Sequence, residues 1–311
     1  MTHSKAFYGN LTAILTILIW GTTFISTKIL LRSFTPIEIL LMRFLLGYAA
    51  LWLMHPRWFP IKPFRQEILL MLAGLCGVTL YYLFENIALT YTLAANVGVI
   101  VSISPFFTAL LAHFLLDGEK LRVPFLIGFV TAILGISLID LNGGFVLKIN
   151  PFGDFLAVCA SAVWAAYSVL MKKISNFHDS TVECTRRVFF YGILFMIPAA
   201  CAFGIHVELN DVLTGVNLFN LLFLGLGASA LCFVTWNLAV NSLGVVRTSV
   251  YIYLIPVITI TASALILREQ INWIEIVGTV FTMAGLFISM AKKKEKEKVP
   301  ELSEEIEMEL R

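Results

Sequence analysis

The chain has 311 residues, 59% of them hydrophobic and only 14% charged, with a mean hydropathy of +0.88, whereas soluble domains carry about 25% charged residues. That balance excludes an ordinary water-soluble fold and leaves little chain for a soluble domain. A net charge of +2 is too small to point to nucleic acid, and five cysteines without C-x-x-C spacing (Cys76, Cys159, Cys184, Cys201, Cys232; all but Cys184 in apolar runs) read as reduced packing residues.

Apolar runs bounded by charged or turn-forming residues predict ten transmembrane helices, near 10–31, 36–54, 67–89, 94–116, 123–141, 152–173, 187–205, 217–240, 247–267 and 272–291. None shows the period-two alternation of a membrane barrel, and helices satisfy every backbone polar group inside lipid, so the expected class is an all-α membrane protein. The first run follows Lys5 and has no small-x-small cleavage site after it, which makes it a retained helix rather than a secretory signal. The short loops place Arg57, Lys62, Arg65, Lys120, Arg122, Lys172, Lys173, Arg186, Arg247 and the cluster Lys292, Lys293, Lys294, Lys296 and Lys298 on one side, against Arg32, Lys148 and Arg268 on the other. By the positive-inside rule both termini are cytoplasmic, in a multi-pass protein of the cytoplasmic (inner) membrane. Residues 292–311 form a charged tail broken by Pro300.

Residues also recur in register. Trp20, Lys28 and Arg43 return as Trp164, Lys172 and Arg187, each displaced by 144 positions. Asn86 and Pro105 return as Asn237 and Pro256 with a shift of 151, and Glu119, Gly128 and Gly135 as Glu269, Gly278 and Gly285 with a shift of 150. The chain therefore divides into five-helix repeats, 1–143 and 144–291. Because five is odd, the second repeat enters the membrane from the opposite side, giving two inverted repeats of the kind that alternating access uses.

The paired pattern is W-G/A early in the first helix of each half, N-x-A in the third and a proline inside the fourth. The fifth carries E-x-L/I and two glycines seven apart (Glu119, Leu121, Gly128, Gly135; Glu269, Ile271, Gly278, Gly285). Over residues 10–291 this resembles the EamA family of the drug/metabolite transporter superfamily. The resemblance implies a ten-helix metabolite carrier, often an exporter of amino acids or related compounds, with a central cavity lined mainly by helices 1, 3, 4, 6, 8 and 9.

Polar groups at membrane depth are costly unless they face a cavity or a partner, which singles out several side chains. Lys28, Arg43 and Glu85 are expected at comparable depth in the outer third, as a gate, as a receiver for an amino acid's charged ends, or as a static pair beside a snorkelling lysine. If transport is proton-coupled, Glu85 is the natural proton carrier, being the one carboxylate clearly within a span. Lys172 and Arg187 form the mirror set, with Trp236 at the position matching Glu85. Asn86 and Asn237 offer amides to substrate or to a neighbouring helix. Trp20 and Trp164 lie away from headgroup level and, with Tyr82, Tyr167, Tyr251 and Tyr253, form either an aromatic cavity lining or core packing. Pro105 and Pro256 are candidate hinges, with Ser102 or Ser104 placed to cover freed carbonyls. The paired glycines suit close helix packing, and His113 suits an interfacial hydrogen bond.

No H-E-x-x-H, G-x-S-x-G or phosphate-cradling glycine loop is present, so neither enzyme, metal site nor cofactor is expected. The expected partners are a small-molecule substrate and the bilayer, with proton coupling and oligomeric state left open and a monomer adequate. A nucleotide-sugar or cofactor carrier, with Lys28 and Lys172 serving the anion, is the alternative substrate class. A channel or membrane sensor is the alternative mechanism.

Overall fold

The computed structural model describes residues 3–58, 62–92, 94–117, 119, 121–142, 150–177, 179–258, 261 and 273–291. The tail 292–311 with its lysine cluster, and Lys120, Lys148, Arg268, Glu269 and Ile271, lie outside the described residues.

The described chain is helical throughout: α1 (His3–Leu30), α2 (Pro36–Met54), α3 (Phe64–Tyr91), α4 (Ala94–Val101), α5 (Ser104–Leu115), α6 (Val123–Asn142), α7 (Pro151–Ile174), α8 (Thr181–Phe203), α9 (Gly215–Leu243), α10 (Val245–Ile258) and α11 (Trp273–Met290), with one short turn of helix at Leu209–Leu213. Six of these, α1, α2, α3, α7, α8 and α9, are long and apolar enough to cross a membrane. Shorter apolar helices occupy the remaining predicted runs. Outward-facing Phe7, Leu53, Phe155, Phe219 and Phe287 are each more than 60% exposed. A surface this apolar belongs in lipid, and the molecule is a multi-pass membrane protein.

Local chemistry explains where the helices start, stop and break. Asn150 accepts the Gly153 N–H at 3.0 Å and Pro151 occupies the first turn of α7, where its missing donor costs nothing. Gly204 (φ 76°) and Gly244 (φ 92°) end α8 and α9 in a backbone region that favours glycine. The predicted fourth run is interrupted between α4 and α5. Pro105 lacks the N–H that Val101 would receive, and the Ser104 hydroxyl donates to the Val101 carbonyl instead, at 2.7 Å. The corresponding Pro256 follows a 3₁₀ turn, Val250–Tyr253, within α10. Helix α8 begins six residues before the predicted start, so Cys184 and Arg186 lie within it rather than before it. Two features escape the sequence reading: the middle turns of α3 (Leu75–Leu80) and α9 (Phe223–Leu231) are π-helical.

The packing joins the two halves of the chain helix by helix. Helix α1 lies against α9, α3 against α7, α2 against α8, and α6 against α11. The α6–α11 seam is antiparallel, because a Cβ added at Gly128 would meet the Gly285 carbonyl and one at Gly135 the Gly278 carbonyl, each at 2.5 Å. Close approach needs glycine at these positions.

The basic loops share one end of the bundle. Lys62 pairs with Asp179 at 2.5 Å, and Arg186, 1% exposed, donates to the carbonyls of His55 and Arg57. Glu119 accepts the Val245 N–H at 3.0 Å, and Lys172 donates to the Asn241 carbonyl at 3.5 Å. At the other end Glu38 accepts from the backbone N–H groups of Thr35 (2.7 Å) and His206 (2.6 Å). All five cysteines are free thiols.

Candidate functional site

Aromatic residues from both halves converge at the centre of the bundle. Trp20 of α1 meets Trp164 of α7 edge to face at a centroid distance of 5.1 Å and Trp236 of α9 at 5.2 Å. Trp164 in turn contacts Tyr81 and Tyr167, both at 4.9 Å, while Tyr81 and Tyr82 stand edge to face at 4.7 Å. The Trp20 indole N–H donates to the Ala228 carbonyl at 3.0 Å, inside the π-helical stretch of α9. That bond fixes the ring and gives a buried donor its partner.

A cavity opens on this cluster. It is lined by Trp20, Thr23 and Phe24 of α1, by Tyr81, Tyr82 and Glu85 of α3, by Val101 and Trp164, and by Ile252 and Ile255 of α10. Counted to its open mouth the concavity measures about 400 Å³, yet only about 20 Å³ admits a water-sized body clear of the walls. That is room for about one water, so an organic occupant requires the side-chain walls to part.

The charge arrangement is unequal. Glu85 is 3% exposed, its Oε2 has no hydrogen-bond partner among the described residues, and it lies within electrostatic reach of Arg43 and the Tyr81 hydroxyl. Arg43, 1% exposed, does not line the cavity. Its guanidinium lies 4.2 Å from the Tyr82 ring centroid and donates from Nε to the Ser229 hydroxyl at 3.0 Å, with Nη2 left without a partner among the described residues. Arg43 and Glu85 do not form a contact ion pair.

The other predicted residues lie around this centre or away from it. Lys28 stands apart from Arg43 and Glu85, donating to the Leu89 carbonyl (2.5 Å) and the Thr92 carbonyl (3.4 Å) at the end of α3. Lys172 is held at the basic end. Arg187 bonds Glu67 at 3.0 Å and Tyr191 donates to the same carboxylate oxygen, so the mirror cation has a carboxylate partner that the repeat pattern does not supply. Glu67 and the 3%-exposed Glu38 join Glu85 as carboxylates within helices. Asn237 accepts from the Tyr167 hydroxyl and donates to the Thr185 hydroxyl, both at 3.0 Å, bridging α7, α8 and α9. Asn86 donates to the Pro36 carbonyl at 3.3 Å. Ser102 bonds the Gly98 carbonyl, and the Tyr251 hydroxyl donates to Asn10 at 2.8 Å. Pro105 and Pro256 sit beside helix interruptions.

Thr23, Phe24, Tyr81, Val101, Ile252 and Ile255 line the cavity without having been singled out in the sequence. Tyr81 alone carried a usable signal, as the polar aromatic neighbour of Tyr82. No group of three or more His, Cys, Asp or Glu able to hold a metal occurs among the described residues.

A helical membrane bundle with a buried aromatic cavity between its halves suits the passage of a small molecule. The EamA-like transporter family model matches residues 7–140 and again 151–291, and the chain belongs to that family. An "Uncharacterized transporter" of Archaeoglobus fulgidus is 32% identical over 286 residues, covering 90% of this chain and 96% of the relative. A "Probable amino-acid metabolite efflux pump" of Escherichia coli is 25% identical, with 89% and 93% covered. A solved crystal structure aligns with a TM-score of 0.74 at 19% identity, covering 90% of this chain and 97% of its own, which is a likeness of fold.

Proposed function

We propose that the protein is a secondary carrier of ten transmembrane helices, two inverted five-helix repeats with both termini cytoplasmic, that moves a small organic metabolite across the cytoplasmic membrane by alternating access. The observation that carries this reading is the central cavity, whose walls come from α1, α3 and α4 of one half and α7 and α10 of the other. A cavity between exchangeable halves can open to either face when the halves swap conformations. The antiparallel α6–α11 seam and the cross-packing of α1 on α9 and α3 on α7 support the inversion. The basic loops gathered at one end support the orientation.

The substrate is an amino acid or a related amphipathic compound, and net flux is export. The aromatic walls and buried carboxylate support this, as does the name of the Escherichia coli relative. Proteoliposomes loaded with one unlabelled amino acid at a time, with and without a pH gradient, test it. Saturable uptake of labelled amino acid that accelerates with internal substrate is the expected result. Linear, non-saturating flux, or none in sealed vesicles, would refute the carrier reading, and a response to the gradient that Glu85→Gln abolishes would assign coupling to Glu85.

A further inference from the structure

The cavity lining carries one kind of charge only. Among the described residues that line it, Glu85 is acidic and none is basic. None of the candidate cations among the described residues makes a contact ion pair with it. Lys28 is drawn to the carbonyls of Leu89 and Thr92, Lys172 to that of Asn241, and Arg187 to Glu67. Arg43 is closest in charge terms, but it is bound to Ser229 and lies against Tyr82 without lining the cavity. Glu85 therefore presents a buried carboxylate to an aromatic space with Oε2 unbonded. A buried acceptor left in this state costs free energy until something donates to it, and the donors best suited to a carboxylate are cationic. The surrounding rings of Trp20, Tyr81, Tyr82 and Trp164 favour the same ligand sign, since the faces of indoles and phenols attract cations.

We infer that the cavity recognises the protonated amine of its substrate: Glu85 receives the ammonium in a charge-assisted hydrogen bond, and the aromatic walls take up an apolar or aromatic body. The substrate class is the organic monoamine, in which a carboxylate is tolerated but not required. Phosphate-bearing and other purely anionic compounds meet no cation at the cavity wall and are rejected by Glu85. This rests on the carrier reading for its transport consequence, while the binding claim stands on the cavity alone. Since the space is closed down to about a water's volume, occupancy also requires Trp20 and Trp164 to separate from their edge-to-face contact.

The test uses the full chain in lipid nanodiscs and three probes sharing a phenyl ring: phenethylamine (amine alone), phenylalanine (zwitterion) and phenylpropionate (acid alone), titrated calorimetrically. The expected order is phenethylamine and phenylalanine binding within about tenfold of each other, with phenylpropionate at least tenfold weaker. Glu85→Gln, shown to be folded by an unchanged elution profile, loses at least tenfold for phenethylamine. Phenylpropionate binding as tightly as phenethylamine, no binding of any probe, or full affinity in folded Glu85→Gln would each overturn the inference. If that variant does not fold, the order of the three probes on the unaltered chain still decides. Flux in proteoliposomes separates the two readings. Amine binding without saturable flux removes the carrier and keeps the amine site, whereas saturable phenylpropionate transport at the amine's rate keeps the carrier and removes amine recognition.

Discussion

Gly135→Ala should destabilise the fold through the α6–α11 seam. The added Cβ would lie 2.5 Å from the Gly278 carbonyl oxygen, 2.5 Å from the Thr282 nitrogen and 2.6 Å from the Thr282 hydroxyl, where ordinary contact begins at 3.4 Å. Two of these atoms are backbone, so no rotamer change relieves the clash and one helix must retreat by about 0.9 Å. Helices in lipid are held by dispersion and a few hydrogen bonds, and a gap of about 0.5–1 Å forfeits a quarter to a half of each affected contact. Overpacking of this kind costs about 3 kcal/mol, from which the intrinsic helical gain of alanine over glycine removes about 1 kcal/mol. The net loss of about 2 kcal/mol is roughly a thirtyfold change in the folding equilibrium. Gly98→Ala isolates the intrinsic gain, because Gly98 lies in α4 with nothing within 4 Å of an added Cβ. Unfolding titrations in mixed SDS micelles, followed by circular dichroism, measure both. A Gly135→Ala protein as stable as the unaltered chain, or shifted upward with Gly98→Ala, would refute the close-packed seam.

Three further outcomes are expected. For the Arg187–Glu67 pair, with side chains 8% and 19% exposed, Arg187→Gln and Glu67→Gln each cost about 1–3 kcal/mol. The double variant costs less than their sum by at least about 1 kcal/mol in a thermodynamic cycle, and strict additivity would show that the pair is not coupled. Asn237→Leu lowers stability by about 1–2 kcal/mol in the same SDS titration, since it strands the Tyr167 hydroxyl and removes the donor to Thr185, and an unchanged midpoint would show the bridge to be dispensable. Trp164→Ala raises the substrate KM about tenfold or more in proteoliposomes, while Trp164→Phe, which keeps an aromatic wall, stays within about threefold; equal effects would argue against an aromatic recognition surface.

The membrane class and the long apolar helices were legible because lipid demands long uncharged helices, and hydropathy records that demand directly. Which helix faces turn inward was not. In a soluble helix the polar face marks the outside, but here Phe155, pointing outward, and Phe24, lining the cavity, present the same chemistry to a reader of the sequence. Ile252 and Ile255 were hidden for that reason. The π-helical turns added a second obstacle, since each inserts extra backbone and rotates all that follows it. Tyr81, Tyr82 and Glu85 come after Leu75–Leu80 in α3, so a regular helical projection misdirects them. The same applies to Trp236 after Phe223–Leu231.

Repetition in the sequence located equivalent positions but not equivalent interactions, and the two arginines make the reason plain. Arg43 and Arg187 occupy matching places in α2 and α8, each a few residues from the helix start. A buried guanidinium must find acceptors, and which it finds depends on side chains that the repeat leaves free to vary. Arg187 meets Glu67 and Tyr191 at the end of the bundle where Lys62 also pairs with Asp179, so two ion pairs tie α3 and the loop before it to α8 and the loop before it. Arg43 meets a hydroxyl and an aromatic face, leaving its charge without a contact carboxylate and leaving Oε2 of Glu85 without a partner at the cavity wall. The second repeat has Trp236 where the first has Glu85, so among the described lining residues the acid comes from one half alone.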